Sequence, residues 1–397
     1  MRIATLQYAP KLGDVDGNIQ KANEILERGK SLSLDGRKPL GVGIGVDLLR
    51  PDLLVLPELA LTGYNFPSLD AIRPYLEPAG TGPSAAWAQD TAKRLQCTVC
   101  VGYPEIEDSA DASLPAKYYN SLIVVDEHGQ VIHNYRKSFL YFTDETWAAE
   151  GNVERGFREL TFRAREELES SRTTERVDDT LRDTAAAASA NGRPAPEEDK
   201  RVATSFGICM DINPYKFEAP FTAFEFANRV LDSQSQLVIL SMAWLTHASR
   251  EELAALDGAP EMDTFNYWLL RLRPLFEKQM RHARDLDGQA AGVDADAPKK
   301  LVVVFANRAG EEPAADDTKP PARYAGTSTV LAVTQRPAAR GSREGVIDVE
   351  PALDVKILCW DMLGATEEGI CFADTTANPK MVFALRKSAS TSESESE

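Results

Sequence analysis

The sequence predicts an α/β fold. Short, β-rich apolar runs alternate with stretches whose apolar residues recur at helical spacing, and the alternation runs through two halves of the chain. No internal repeat with a period of about 20–50 residues is visible, which argues against a solenoid or propeller. The length of 397 residues leaves room for one large α/β domain with insertions or for two domains.

Arg2–Tyr8 reads as the first strand and not as a secretory signal, because it has no sustained apolar core and no small-residue cleavage site. Asn18–Ser31 has the spacing of an amphipathic helix through Ile19, Ala22, Ile25 and Leu26. Gly41, Gly43 and Gly45 precede a strand instead of joining strand to helix, so they read as a connector and not as a phosphate cradle. Asp52–Leu56 is the second strand, Ala85–Leu95 a helix and Cys97–Tyr103 a further strand. Tyr119–Asp126 and Gln130–Tyr135 form a hairpin about Glu127-His128-Gly129, with glycine where the turn requires positive φ. Ser138–Gly151 is an aromatic-rich loop carrying Asp144 and Glu145.

Arg163–Arg201 is charged and nearly free of large apolar residues after Leu181, so it is expected to be a surface insertion without chemistry. The same is expected of Asp285–Pro298 and Glu311–Arg323, and Ser388–Glu397 belongs to a disordered Ser/Glu tail. Val202–Ile208 is a buried strand, Thr222–Leu231 a helix, Leu237–Met242 a strand and Asp263–Leu286 a long helix despite Pro274. Lys300–Ala306, Gly326–Val333 and Val346–Val349 complete the expected strands.

A net charge of −17 argues against a nucleic-acid partner and against an anionic membrane surface. No apolar run approaches the ~18 residues a membrane helix needs. Five dispersed cysteines do not make a disulfide framework, which fits a reducing compartment, the cytoplasm, with the nucleus also open. Cys97 and Cys100 point to opposite faces of one strand, and the four histidines have no ligand spacing, so no metal site is expected.

Three residues stand just past apolar strands, where open α/β sheets gather their ligands: Glu58, Lys137 and Cys209. Cys209 lies at a strand-to-helix elbow, where the N–H groups opening the next helix are expected to favour its thiolate. Taken singly, each has an ordinary reading as a solvated loop acid, a solvated lysine or a buried structural cysteine. Together, Leu56-Pro57-Glu58, Tyr135-Arg136-Lys137 and Gly207-Ile208-Cys209-Met210-Asp211 resemble the three local motifs of the nitrilase superfamily of carbon–nitrogen hydrolases, and Ala306–Gly310 with Gly326-Thr327-Ser328 resembles its late strand pair.

The resemblance implies a nitrilase-like α-β-β-α sandwich, a single domain over residues 1–385 with surface insertions and a tail at 386–397. It also implies a Glu58–Lys137–Cys209 triad that needs no cofactor. Glu145 is similar in place to the family's second acidic residue. Residues 135–147 (YRKSFLYFTDETW) and 209–227 (CMDINPYKFEAPFTAFEFA) are further similar to the fungal branch that deamidates N-terminal Asn and Gln, the step that feeds the N-degron pathway. Its substrates would be peptide and protein N-termini bearing Asn or Gln. Met210 would then supply an oxyanion N–H, Asp211 or Glu145 an anion for the substrate α-amino group, and Tyr64 and Trp244 an apolar wall. An amidase or carbamoylase for a small free molecule and an inactive scaffold remain the alternatives.

Overall fold

The computed structural model describes residues 1–31, 43–109, 113, 115–163, 199–282, 298–314, 320–337 and 353–384. Its principal strands are β1 (Arg2–Gln7), β2 (Leu53–Val55), β3 (Thr98–Glu107), β4 (Lys117–Val125), β5 (Val131–Arg136), β6 (Phe157–Phe162) and β7 (Lys200–Ile208). They continue with β8 (Leu237–Met242), β9 (Lys299–Asn307), β10 (Thr329–Pro337), β11 (Leu353–Met362), β12 (Gly369–Asp374) and β13 (Met381–Ala384). The longer helices are α1 (Val15–Arg28), α2 (Pro83–Leu95), α3 (Glu225–Asp232) and α4 (Met262–Arg271).

Two sheets share one plan. In the first, β1, β2 and β3 run parallel at the centre, with β12 antiparallel to β1 and the β4–β5 hairpin antiparallel to β3. In the second, β7, β8 and β9 are the parallel centre, flanked by antiparallel β6 on one side and by β10, β11 and β13 on the other. Alternation along each strand divides the core. Ile3, Leu53, Val55, Cys100, Leu122 and Val124 join a cluster with the second sheet, while Ala4, Leu6, Leu54, Val99, Val101 and Ile123 pack beneath α1 and α2. Cys100 and Cys97 accordingly fall in different clusters.

On the second sheet, Phe206 turns its ring to His133 of β5, with centroids 5.0 Å apart. The next residue, Gly207, lies beneath α3, where a Cβ would meet the Phe226 ring at 2.7 Å and Leu240 at 2.8 Å. Trp268 of α4 stacks on Phe305 of β9 at 4.8 Å. Helices therefore cover both outer faces, and the architecture is the α-β-β-α sandwich.

Several bounds move for local physical reasons. Helix α1 begins at Val15 because Asp14 caps it, accepting the Gly17 N–H, and it stops at Gly29, whose φ is 73°. The single long helix expected over Asp263–Leu286 is instead α4 followed by a separate turn, Pro274–Glu277, since Pro274 cannot donate the N–H that would continue α4. Strand β10 starts at Thr329, three residues later than expected, because Gly326 and Thr327 both have positive φ. Strands β6, β11, β12 and β13 were not expected, and β12 closes the edge of the first sheet beside β1. Gly41, most of the 163–201 insertion, Val346–Val349 and the 386–397 tail lie outside the described residues. Among the described residues no helix is long and apolar enough to cross a membrane.

Candidate active site

Glu58 follows β2 on a segment that must pass close over β3. A Cβ at Gly102 would meet Glu58 Cα and Leu59 N at 2.8 Å, so only glycine allows the crossing. Leu59 takes φ 45° to turn the chain, and Ala60 N–H bonds the Gly102 carbonyl at 3.0 Å. The Glu58 side chain is fully buried and spans the two sheets: Oε2 accepts the backbone N–H of Ala243, at the end of β8, at 2.8 Å. Its Oε1 accepts the Lys137 ammonium at 2.5 Å and the Asn120 amide at 2.7 Å.

Lys137 leaves the end of β5 with its N–H on the Asn120 carbonyl at 2.8 Å. Its ammonium, also fully buried, reaches Asp144 Oδ2 at 2.6 Å as well as Glu58. Burial alone would pull this lysine down, but Asp144 and then Glu58 outweigh it and hold the group above the ordinary lysine range, so it is a permanent cation. Tyr64 donates its hydroxyl to Asp144 Oδ2 at 3.3 Å, and its ring centroid lies 5.6 Å from the Lys137 ammonium.

Cys209 starts the turn Cys209–Ile212 directly after β7, with φ 41°, a left-handed conformation that a non-glycine residue holds only when its surroundings enforce it. The Ala243 N–H that bonds Glu58 also acts electrostatically on the Cys209 thiol, so base and nucleophile stand beside one backbone N–H. The expectation of a resting thiolate is reversed. Burial first and Glu58 second push the thiol well above its ordinary range, against the opposing pull of Lys137 and Ala243 N–H. The turn is one short 3-10 segment, whose few N–H groups do not offset two nearby carboxylates. Burial likewise raises Glu58, with Lys137 and Asn120 opposing it.

Glu145, expected near Lys137, is exposed, and its neighbour Asp144 is the buried acid. The 3-10 turn Asp144–Thr146 directs Asp144 inward, where it also accepts Tyr141 N–H at 3.0 Å and Asn120 at 3.0 Å. Asp211 does not face a ligand either. Its Oδ1 accepts the N–H groups of Ser138 at 3.0 Å and Phe139 at 2.8 Å, while Oδ2 accepts Ile208 N–H at 2.7 Å and the Tyr135 hydroxyl at 2.8 Å. All of its acceptor capacity is taken up in tying the loop after Lys137 to the nucleophile elbow.

Met210 is buried immediately after Cys209, where the first N–H groups of a helical turn have no partner within it. Trp244, half-buried, follows the Ala243 donor and packs edge-on to Trp268 at 6.0 Å. Asn120 went unnoticed in the sequence. So did Glu312, in a loop expected to carry no chemistry: it is buried, pairs with buried Arg308 at 2.7 Å, and accepts the N–H groups of Tyr64 and Asn65, thereby holding the Tyr64 loop. Among the described residues no group of three or more His, Cys, Asp or Glu is placed to hold a metal ion.

Residues 2–177 match the profile of the carbon-nitrogen hydrolases. The chain is 32% identical over 249 residues to the protein N-terminal amidase of Saccharomyces cerevisiae, covering 63% of this chain and 46% of that one. It thus spans about half the length of that relative. It is 30% identical over 348 residues to the protein N-terminal amidase of Schizosaccharomyces pombe, covering 84% of this chain and 92% of that one. A crystal structure of an N-terminal amidase with a Gln-Gly peptide shares the fold, with a TM-score of 0.61 at 22% identity over 98% of this chain and 99% of that one.

Proposed function

The chain belongs to the carbon–nitrogen hydrolase family, and on that premise we propose that it hydrolyses the side-chain amide of N-terminal Asn and Gln in peptides and proteins. The products are N-terminal Asp or Glu and ammonia, and the reaction feeds degradation governed by N-terminal residues. The observation that carries the chemistry is the dry cluster in which Glu58, held by the Ala243 N–H, and the Cys209 thiol stand together beside a permanently charged Lys137. The substrate assignment is supported by the similarity that runs over 92% of the fission-yeast amidase.

A thiol held in the protonated form needs a base, and ionised Glu58 is the adjacent one. Glu58 takes the Cys209 proton as sulfur attacks the carboxamide carbon, leaving a tetrahedral oxyanion. Lys137 and the Met210 N–H stabilise that charge, donors of a kind worth about 3–4 kcal/mol each. Glu58 then returns the proton to the departing nitrogen, the C–N bond breaks, and ammonia leaves a Cys209 thioester. Water, deprotonated by Glu58, attacks the thioester through a second oxyanion at the same donors, and collapse releases the carboxylate and restores the thiol. Asp144 keeps Lys137 charged and in place throughout.

The test compares ammonia release from an Asn-initiated peptide, its N-acetylated form and free small amides. The reading requires the unblocked peptide to be preferred in kcat/KM by at least about tenfold, because an enzyme selective for N-termini leaves polar groups unpaired when the amine is blocked. Equal rates on the acetylated peptide would make the protein a broader amidase of the same family.

A further inference from the structure

Lys137 is one cation serving two buried carboxylates, Glu58 and Asp144, so this part of the site carries an excess negative charge in a dry environment. Burial, with Asp144 beside it, favours proton uptake by Glu58, yet the general base must be ionised to act. A second cation would restore the balance. The site holds a neutral group instead. The Asn120 side-chain nitrogen lies 2.7 Å from Glu58 Oε1 and 3.0 Å from Asp144 Oδ1. Carboxylates only accept, so the amide must present its nitrogen to them, and its two N–H groups match the two acceptors. Asn120 Oδ1 is buried with no hydrogen-bond partner among the described residues, a cost that remains while the amide is turned toward the acids. The Asn120 backbone carbonyl takes Lys137 N–H at 2.8 Å, so one residue fixes all three partners.

We propose that Asn120 is a positioning residue of the hydrolytic reaction, closing a ring Asn120–Glu58–Lys137–Asp144 that keeps Glu58 ionised and directed at the Cys209 thiol. This rests on Glu58 acting as the base. The charged and titratable groups facing Glu58 are Lys137 from the end of β5, Asp144 from the loop beyond it, Cys209 from the elbow after β7, and the hydroxyls of Tyr64 and Tyr324. Of these only Lys137 stabilises the carboxylate by charge, and Asn120 adds a donor that opposes proton uptake. Removing that donor moves the ionisation of Glu58 to higher pH.

The deciding experiment is the pH dependence of Cys209 alkylation by iodoacetamide, with the modified peptide identified by mass, in the parent protein, Asn120→Leu and Asn120→Asp. Sulfur displaces iodide to form the thioether while Glu58 accepts the thiol proton, so the acid limb of the rate follows Glu58 without any substrate. Both variants should move that limb up by about one pH unit, a tenfold loss of rate below it, and in turnover of an Asn-initiated peptide they should lower kcat more than tenfold while KM stays within about threefold. Asn120→Asp keeps the volume of the side chain and decides the matter if Asn120→Leu does not fold. A parental acid limb in either folded variant overturns the proposal. If the parent protein is alkylated normally but leaves the peptide intact, the substrate assignment fails while the alkylation profile still judges Asn120.

Discussion

Asp144 Oδ2 stands 2.6 Å from the Lys137 ammonium, and both side chains are sealed from solvent. Glu145, next to Asp144 in the chain, is exposed. Of the two adjacent acids, Asp144 is therefore the one that holds Lys137, together with Glu58. Asp144→Asn should lower kcat for an Asn-initiated peptide about 100-fold, the loss expected when a charge-stabilising group is misplaced by a fraction of its contact distance. Glu145→Gln should stay within about twofold, as exposed side chains away from a site usually do. Equal losses in the two variants would return the second acid to position 145.

Glu58 and Lys137 both act on the Cys209 thiol and are bonded to each other, which makes the three parts of one machine. Cys209→Ala should abolish ammonia release by about 10⁴-fold or more while leaving the thermal transition close to that of the parent. Glu58→Ala and Lys137→Ala should each approach that loss, and the double variant should be little worse than either. Multiplying losses in the double variant would mean that one of the two side chains acts independently of the other.

The positions of the triad were legible because each lies where an apolar strand ends, and strand ends are set by hydrophobic pattern. Three such ends made Glu58, Lys137 and Cys209 candidates, and it was the resemblance of their three motifs to the nitrilase superfamily that joined them into a triad. The choice between Asp144 and Glu145 was not legible, since either of two adjacent acids in a loop can face inward and a single 3-10 turn decides which does. Asn120 was hidden for a different reason: it is a polar residue inside β4, and only the strand order of the first sheet, with β3 between β2 and β4, brings the Glu58 side chain to it. Glu312 lies in a charged loop that reads as solvated, and its role emerges only through buried Arg308, which follows β9. The thiolate expectation failed because the elbow's N–H groups are local to the chain, whereas the burial of the thiol and the Glu58 carboxylate delivered from the other sheet come only with the packed fold.

Asp211 illustrates how a residue beside a nucleophile can be wholly structural. Three backbone N–H groups and one phenol converge on its carboxylate, and all are buried with it. Asp211→Ala would leave these donors unpaired and should destabilise the fold by about 3 kcal/mol or more in urea unfolding, because buried donors without partners cost the most. Enzyme that remains folded at low temperature should bind an Asn-initiated peptide with KM near that of the parent. A large rise in KM with unchanged stability would instead identify Asp211 as a substrate contact.

His133 makes the acid stability of the fold measurable apart from the active site. It is buried on β5 between the Phe206 ring and the Arg155 carbonyl, to which its Nε2 donates at 3.0 Å, with Arg155 and Arg158 nearby. Burial holds its pKa down to about 4, against 6.5 for the free side chain. Between those values the unfolded chain binds a proton that the native protein refuses, so stability is complete above 6.5 and is lost as pH falls through the window toward 4. Buried Glu77, raised to about 7, works in the opposite sense, since the native protein there holds a proton that the unfolded chain has released. A comparison with a variant at one position cancels that contribution. His133→Gln keeps an N–H for the Arg155 carbonyl without a titrating ring, and urea unfolding at pH 7.5 and pH 5 should show the parent losing about 2 kcal/mol more than the variant. Parallel losses in the two proteins would mean that native His133 accepts its proton as readily as the unfolded chain does.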